Sequence, residues 1–247
     1  METIQNKRLS NLKIIKSSVD DLDDDLKNIP EPLPKKSFGM MMVGKPSSGK
    51  SSLLMSLLMS KDAYLKKFDR VYIMSESLDT LPLEELGLDP SRVYSEYDEE
   101  KLKQIIKDEK DSNQNNNTLI ILDDVVRSIA SKKGDFVLKM LLNRRHITHN
   151  KNNKDEKGGL SIIITTQSYN LLPLKFRKNM SNIVLFSSTN QKEIINIKEE
   201  LLCDLDKSDQ NKILQQCWSK KYGFLFVCAN ATTSDRYYQN FNKIKIV

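Results

Sequence analysis

Residues 38–53 read Phe38-Gly-Met-Met-Met-Val-Gly-Lys-Pro-Ser-Ser-Gly-Lys-Ser-Ser-Leu53 and predict a phosphate-binding loop. Within them, Gly44 to Ser51 match the pattern G-x-x-x-x-G-K-[ST], in which a glycine-rich loop wraps around phosphate groups. An apolar, strand-like run precedes this loop, and a helical run, 52–59, follows it. A Gly/Ser turn that merely links a strand to a helix is the alternative interpretation, and it does not account for a complete motif with both flanks in place.

The residues of this loop have distinct predicted roles in binding ATP and Mg²⁺. Gly44 and Gly49 let the backbone turn, so that successive N–H groups and the helix N-terminus face one anion. Lys50 is placed to reach the β- and γ-phosphates, and the Ser51 hydroxyl to hold Mg²⁺. The predicted nucleotide-binding residues are Gly44, Lys45, Pro46, Ser47, Ser48, Gly49, Lys50, Ser51 and Ser52.

Length and composition narrow the class of protein. A chain of 247 residues, 38% of them hydrophobic, with a mean hydropathy of −0.50, is predicted to form one large globular domain or one domain with appendages. No apolar run approaches the roughly 18 residues of a membrane helix, and the N-terminus has no apolar signal segment. The three cysteines are odd in number and lack metal-ligand spacing, which indicates a reducing compartment and a protein that is not secreted.

The first 34 residues differ in composition from the rest of the chain. Residues 1–28 are polar and contain the acidic cluster Asp20-Asp-Leu-Asp-Asp-Asp25, which we interpret as a solvated arm in preference to a protein-binding segment. Ile29-Pro-Glu-Pro-Leu-Pro34 is typical of a stiff, extended connector. We therefore predict an N-terminal arm and Pro-rich linker over 1–34, and a single ATPase domain over 35–247.

The remaining chain alternates short apolar runs with helical patterns, which predicts an α/β fold of the RecA-like (ASCE) P-loop NTPase class. Its mostly parallel central sheet would carry helices on both faces. After the phosphate-loop helix, strands are predicted at 70–75, 118–123, 160–167, 182–187 and 223–228, with a candidate edge strand in the tail. The predicted helices span 98–110, 125–149 and 190–221.

Two adjacent carboxylates end the buried run Thr118-Leu-Ile-Ile-Leu-Asp123-Asp124. A buried strand that ends in aspartate is the second nucleotide motif, Walker B, in which Asp123 would hold Mg²⁺ through water. Strand alternation is expected to point Asp124 to the other side, where it could act as the general base for the attacking water. The alternative is that both residues merely cap the next helix, as aspartate often does.

Two further polar residues are catalytic candidates. Gln167 ends the run Leu160-Ser-Ile-Ile-Ile-Thr-Thr-Gln167, and a glutamine there can orient the attacking water or sense the γ-phosphate, unless it simply ends the strand. Arg177 precedes the next strand and is a candidate arginine finger, although an arginine in such a position usually lies on the surface. His146 and His149 are interpreted as solvated or helix-capping residues, not as half of a metal site.

Together these features resemble the FtsK/HerA superfamily of DNA-pumping ATPases. More narrowly, they resemble the poxvirus-type genome-packaging ATPases of large DNA viruses, virophages and related elements. The resemblance covers roughly residues 36–245. Its Arg-His, Gln and Arg-x-Asn elements do most to distinguish this family from other ATPases. The matching motifs are Gly44–Ser51, Ile121-Leu-Asp-Asp124, Arg145-His146, Ile164-Thr-Thr-Gln167, Arg177-Lys-Asn179, Tyr222-Gly-Phe-Leu-Phe226 and Arg236-Tyr-Tyr-Gln-Asn-Phe241.

The resemblance implies an ATP-driven translocase of double-stranded DNA that packages a viral genome into a preformed capsid. It implies a homo-oligomeric ring that hydrolyses ATP at its subunit interfaces, with Arg177 as the finger supplied to a neighbouring subunit. It also implies capsid proteins as partners, no membrane, and a location in the host cytoplasm, in a viral factory or in the virion. The loop 150–159 is longer and more polar than this family leads us to expect.

The charge of the chain permits duplex DNA as a partner but does not require it. The net charge is +6, which a solvated, lysine-rich surface explains equally well. A ring ATPase that acts on a protein partner and a non-packaging DNA translocase therefore remain alternatives. A P-loop kinase is disfavoured because no phosphate-acceptor site or Arg-rich lid is visible. The basic candidates for DNA contact are Lys132, Lys133, Arg144, Lys151, Lys154, Lys220 and Lys221.

Overall fold

The computed structural model describes residues 29–78, 81, 83–112, 116–130, 134–147 and 159–246. Its strands are β1 Gly39–Val43, β2 Arg70–Ser75, β3 Val93–Tyr94, β4 Asn117–Asp123, β5 Gly159–Thr166, β6 Asn182–Phe186, β7 Phe224–Cys228, β8 Tyr237–Gln239 and β9 Asn242–Lys243. Its α-helices are α1 Lys50–Met59, α2 Leu83–Leu86, α3 Glu99–Asp111, α4 Val126–Ala130, α5 Asp135–Asn143, α6 Leu174–Arg177, α7 Gln191–Leu201 and α8 Lys207–Cys217.

All of the described strands form one sheet in the order β3-β2-β4-β5-β1-β6-β7-β8-β9. The strands from β3 to β6 in this order are parallel, and β7, β8 and β9 extend the sheet as antiparallel strands. The predicted α/β fold with a mostly parallel sheet is therefore confirmed. Because β5 lies between β1 and β4, the carboxyl ends of these three strands meet at one edge of the sheet.

The central strands are buried on both faces, which explains why they appear in the sequence as continuous apolar runs. Every residue of β1, β4 and β5 is buried. Met41 and Ile120 face a core shared with α3, α5, α7 and α8, whereas Met40 and Ile121 face a second core shared with α1. Helices thus cover both faces of the sheet. Within the described part of the chain, no helix has the length and apolar character needed to cross a membrane.

Two of the predicted helical stretches are each divided into two helices. The stretch 125–149 contains α4 and α5, and a Cβ at Gly134 would lie 1.7 Å from the Ile129 carbonyl oxygen, so only glycine allows α5 to begin this close to the end of α4. The stretch 190–221 contains α7 and α8. The second of these begins at its own cap, where the Asp206 carboxylate accepts a hydrogen bond from the Asp209 N–H at 2.8 Å.

The described part of the Pro-rich connector packs against the ATPase domain. Ile29 and Leu33 are buried in the core that contains α1. The Tyr64 hydroxyl donates a hydrogen bond to the Pro34 carbonyl at 2.8 Å. Residues 29–34 therefore contribute apolar surface to the domain core, while the predicted acidic arm, 1–28, lies outside the described residues.

We expect Ile163→Ala to lower the free energy of unfolding by about 2–5 kcal/mol, because it opens a cavity beneath the phosphate loop strand in a fully buried layer. The matched control is Ile195→Ala on α7, where the side chain is 50% exposed and the loss should stay below about 1 kcal/mol. Urea denaturation of both variants measures the difference. Equal losses at the two positions would contradict the placement of β5 in the core.

Candidate nucleotide-binding site

The phosphate loop joins β1 to α1 and is attached to the neighbouring strand. The Gly44 N–H donates a hydrogen bond to the Thr166 carbonyl of β5 at 3.1 Å. A Cβ at Gly44 would lie 2.4 Å from the Ser48 Oγ, and Gly49 has a φ of 101°, which favours glycine. The two glycines of the motif are therefore required by the compactness of the loop and by its backbone conformation.

The beginning of α1 has the properties of an anion site. Its cap, Gly49, offers no side-chain hydrogen bond, and the described first turn of the helix contains no acidic residue. The first N–H groups of a helix have no partner within the helix, and the helix dipole places positive charge there. The loop and this helix end thus fit the phosphates of a nucleotide, as the motif predicts.

Lys50 places its ammonium group inside the loop. The side chain is buried, and Nζ donates a hydrogen bond to the Gly44 carbonyl at 2.6 Å. Burial lowers the pKa of Lys50, while the charges of Asp124 and Asp123 act in the opposite direction. The ammonium group is therefore already held between the loop and the two carboxylates, where it can compensate for phosphate charge.

The Asp123 carboxylate is fixed by two strands that flank its own. Ser75, the last residue of β2, donates to Oδ2 at 2.8 Å, and Thr165 of β5 donates to Oδ1 at 2.6 Å. Asp123 is 2% exposed, and each of its oxygens accepts a hydrogen bond from a neighbouring strand. We did not predict Ser75 and Thr165 as site residues; the pairing of Ser75 with Asp123 follows from the strand register, which the sequence does not contain.

Asp124 does not follow the strand alternation that we expected to direct it. The strand ends at Asp123, and Asp124 adopts a left-handed conformation with a φ of 54°. Its N–H donates a hydrogen bond to Thr165 Oγ1 at 2.9 Å, so a single hydroxyl contacts both acidic residues. Aspartate is one of the few residues that tolerate this conformation. A turn anchored on Thr165 therefore determines where this carboxylate lies.

The Asp124 carboxylate is partly buried and close to Gln167. Burial raises the pKa of Asp124, and the charge of Asp123 raises it further, whereas Lys50 and a hydrogen bond from the Gln167 side chain lower it. Among the described residues, no group donates a hydrogen bond to its buried Oδ1. A partly buried carboxylate with a raised pKa, next to a glutamine and a lysine, has the character of a general base. The structure thus brings Lys50, Asp124 and Gln167 together.

Ser51 and Asp123 fit the requirements of a Mg²⁺ site. Mg²⁺ is commonly held by one or two protein oxygens together with phosphates and water. Ser51 lies in the first turn of α1, and each Asp123 oxygen has further acceptor capacity beyond its one hydrogen bond. These two residues would hold the ion, which neutralises phosphate charge when it is bound. The described residues contain no cluster of three His, Cys, Asp or Glu side chains suited to a metal.

Arg177 lies within a cluster of its own chain, away from the phosphate loop. Its guanidinium forms two hydrogen bonds with Glu200 on α7, at 2.9 and 2.5 Å, and a third with the Leu172 carbonyl at 2.6 Å. It also lies 4.7 Å from the centroid of the Tyr169 ring, and its side chain is 9% exposed. An arginine finger requires an exposed guanidinium, and that of Arg177 is buried among these contacts. The finger role of Arg177 therefore stays a prediction, whereas the contacts give the residue a structural role.

The Arg145-His146 motif is also separate from the nucleotide site. Arg145 lines a cavity with Phe38 and Ser181, at the amino ends of β1 and β6. This is the opposite edge of the sheet from the phosphate loop. His146 is exposed, and His149 lies outside the described residues.

A family model of AAA, the ATPase family associated with various cellular activities, matches residues 40–188. This match spans more than half of the chain and includes the phosphate loop, both aspartates and Gln167. The chain belongs to this family. Membership of an ATPase family, together with a complete phosphate loop, identifies this AAA protein as an enzyme that binds and hydrolyses ATP. Among curated protein sequences, none matches the chain.

Several solved structures share the fold of this AAA ATPase. The genome packaging NTPase B204 from Sulfolobus turreted icosahedral virus 2, in complex with ATP-gammaS, is 17% identical with a TM-score of 0.56, over 85% of this chain and 98% of that chain. B204, the DNA-packaging ATPase from Sulfolobus turreted icosahedral virus, is 15% identical with a TM-score of 0.57, over 86% and 100%. The pCW3 conjugation coupling protein TcpA with ATPgS is 13% identical with a TM-score of 0.52, over 83% and 60%. The predicted resemblance to viral packaging ATPases is therefore confirmed at the level of the fold.

If Asp124 is the general base of this AAA ATPase, kcat should fall on acidification as Asp124 becomes protonated. Because its pKa is raised, this fall should occur above the pH of about 3.9 at which an ordinary aspartate titrates. Gln167→Leu removes a hydrogen bond that lowers the pKa, so the fall should move to higher pH. Profiles of kcat against pH for the wild type, Gln167→Leu and the exposed control Gln104→Leu measure this. An unmoved profile in Gln167→Leu would contradict the contact.

We expect Arg177→Met to lower the free energy of unfolding by about 2–4 kcal/mol, because Glu200 loses its charged partner in a largely buried site and keeps only the Tyr169 hydroxyl. Replacing both Arg177 and Glu200 by Met should recover part of this loss. The control on the same helix is Lys175→Met, whose ion pair with Asp135 is exposed and should contribute at most about 1 kcal/mol.

A finger role for Arg177 makes a different prediction for the same variant. Urea denaturation would show an unchanged stability, and steady-state assays would show lost ATP turnover. That turnover would return when the variant is mixed with Lys50→Ala subunits, because one subunit then supplies the finger and the other the pocket.

Proposed function

We propose that this AAA ATPase is an ATP-driven translocase of double-stranded DNA that packages a viral genome into a preformed capsid. The observation that carries the proposal is the extent of the likeness to B204, which includes all of that chain and 86% of this one. So large a share cannot fall within residues 40–188 alone, and the likeness therefore extends beyond the residues that the family model matches.

The proposed hydrolysis uses the residues that meet at the carboxyl edge of the sheet. Lys50 and the N–H groups of the loop bind the phosphates and hold them in place. Gln167 orients the attacking water beside Asp124, which accepts its proton. Ser51 and Asp123 would hold a metal ion, which would neutralise phosphate charge, and the hydrogen bonds from Ser75 and Thr165 keep the Asp123 carboxylate in position.

The assembly is part of the same proposal. The resemblance to packaging ATPases supports a homo-oligomeric ring with ATP at its subunit interfaces and a docking contact with capsid proteins. It also supports a location in the host cytoplasm, in a viral factory or in the virion. For Arg177 to serve as the finger in such a ring, its two hydrogen bonds with Glu200 would have to open on assembly.

The proposed DNA contacts are to phosphates and independent of sequence. Of the basic candidates, Arg144 donates hydrogen bonds to the Ser37 carbonyl at 2.6 Å and to the Leu141 carbonyl at 2.7 Å. It therefore links the end of α5 to the residues just before β1. Lys220 and Lys221 are exposed beside the phosphate loop. The other candidates, Lys132, Lys133, Lys151 and Lys154, lie outside the described residues.

Duplex DNA of any sequence is expected to raise ATP turnover, and the effect should fall steeply with salt because phosphate contacts release counterions. Replacing Lys151 and Lys154 by Gln should lower the slope of log affinity against log salt by about 1 for each lysine that faces the DNA. The measurement is steady-state ATP hydrolysis against duplex concentration at several salt concentrations, with Lys50→Ala as the inactive control.

The outcomes separate the candidate functions. Turnover that is indifferent to DNA at low salt would contradict the proposal and favour a protein-directed ATPase. A non-packaging DNA translocase is the second candidate, and the likeness to a conjugation coupling protein is compatible with it. Packaging itself is measured as duplex DNA that becomes resistant to nuclease when the ATPase, ATP and empty capsids of its virus are combined. DNA-stimulated turnover without such protection would favour the second candidate.

A further inference from the structure

Tyr222 is an exposed aromatic residue held in an unfavourable backbone conformation beside the phosphate loop. Its side chain is 55% exposed, and its φ is 63°, which is rare for a bulky residue. A ring carbon of Tyr222 lies 3.3 Å from the position that a Cβ on Gly49 would occupy. Residues in such conformations are concentrated at ligand sites, where the surrounding structure enforces them.

The fold holds Tyr222 in this position from the side of α8. A Cβ at Gly223 would lie 2.3 Å from the Cys217 carbonyl oxygen, so the chain passes very close to the end of that helix. The Gly223 N–H donates a hydrogen bond to the Lys220 carbonyl at 2.9 Å, which closes the turn on which Tyr222 lies. A tight turn thus holds the backbone of Tyr222 beside the loop.

Two cavities beside the phosphate loop meet at this ring. One, of about 400 Å³, is lined by Lys45, Trp218 and Lys221 among others. The other, of about 470 Å³, is lined by Gly49, Ser52, Phe186, Tyr222 and Phe224 among others. The Phe186 and Phe224 rings lie 5.4 Å apart and form an apolar wall. Both cavities have the size of small-ligand sites, and three aromatic residues line the second.

The orientation of a bound nucleotide is set by the residues that lie beside the loop. Lys50, Asp123 and Asp124 occupy one side, where the terminal phosphate and the attacking water belong. The nucleoside end then lies away from these groups, beside the cavities that Tyr222 lines. A nucleobase has an aromatic face, and stacking on an aromatic side chain is a common way of binding that face.

We infer that the Tyr222 ring is the platform on which the nucleobase of the bound nucleotide stacks, with Phe186 and Phe224 as the wall beside it. Lys221, whose Nζ lies 4.8 Å from the centroid of the Tyr222 ring, supports the ring as a cation–π partner. The inference rests on nucleotide binding by this AAA ATPase and is independent of whether DNA is its cargo.

The test compares ATP with inorganic tripolyphosphate, which has the phosphates but no base. Tyr222→Ala should weaken ATP binding by about 5- to 150-fold, the range measured for loss of one base–aromatic stack, and leave tripolyphosphate binding unchanged. Tyr222→Phe should bind both ligands within about twofold of the wild type. All three residues carry a Cβ, so the strained backbone is the same in each. Calorimetry measures the dissociation constants, and the single tryptophan, Trp218, reports occupancy of the adjoining cavity by fluorescence.

Two controls accompany these variants. Leu142→Ala removes an equally exposed apolar side chain on α5, near the opposite edge of the sheet, and should change neither ligand. Lys50→Ala should weaken both ligands, because it removes phosphate binding. Thermal unfolding of each variant verifies that it is folded.

An unchanged ATP affinity in folded Tyr222→Ala would overturn the inference, and so would an equal loss of ATP and tripolyphosphate, since Tyr222 would then support the loop and not the base. Wild-type protein that binds neither ligand would overturn nucleotide binding itself. None of these outcomes depends on DNA, so failure of the stacking inference is distinguishable from failure of the proposed translocase function.

Discussion

The carboxyl end of β5 is the structural element on which the catalytic site depends. Its last carbonyl, that of Thr166, accepts a hydrogen bond from Gly44 and so positions the phosphate loop. The hydroxyl of the preceding residue, Thr165, donates to the Asp123 carboxylate and accepts from the Asp124 N–H. Gln167 follows directly. One strand therefore sets the relative positions of the loop, both carboxylates and the polar residue that contacts the second of them.

The two aspartates have different surroundings, and this difference suits different roles. Asp123 is buried and receives two hydrogen bonds from hydroxyl groups, so its geometry is fixed before any ligand arrives. Asp124 is more open, has a raised pKa, and has an oxygen to which no described group donates. A fixed carboxylate suits a metal ion, and a less buried carboxylate with a raised pKa suits proton transfer. The positive charge of Lys50 lies near both, which offsets the repulsion between them.

A second polar network joins α7 to the segments that follow β5 and β6. The buried Glu193 accepts hydrogen bonds from the Tyr169 N–H and from the Ser188 hydroxyl, and so joins the segments that follow β5 and β6. The Tyr169 hydroxyl and the Arg177 guanidinium both contact Glu200 on the same helix, α7. The segment immediately after Gln167 is therefore anchored to α7 at two points, and buried polar groups with such complete partners favour one rigid arrangement.

The sequence alone was sufficient to predict the phosphate loop, the aspartate pair at the end of β4 and the α/β fold class. These features depend on local spacing: glycines where the chain turns tightly, a lysine and serine at the start of a helix, and apolar runs long enough for buried strands. The tertiary structure decided which strands are neighbours, and with them the partners of Asp123, the turned conformation of Asp124, the pairing of Arg177 with Glu200 and the contact of Tyr222 with the loop. Each of these joins residues distant in the chain, or depends on such a contact, and follows from strand order, register and helix packing, about which local sequence patterns contain little information.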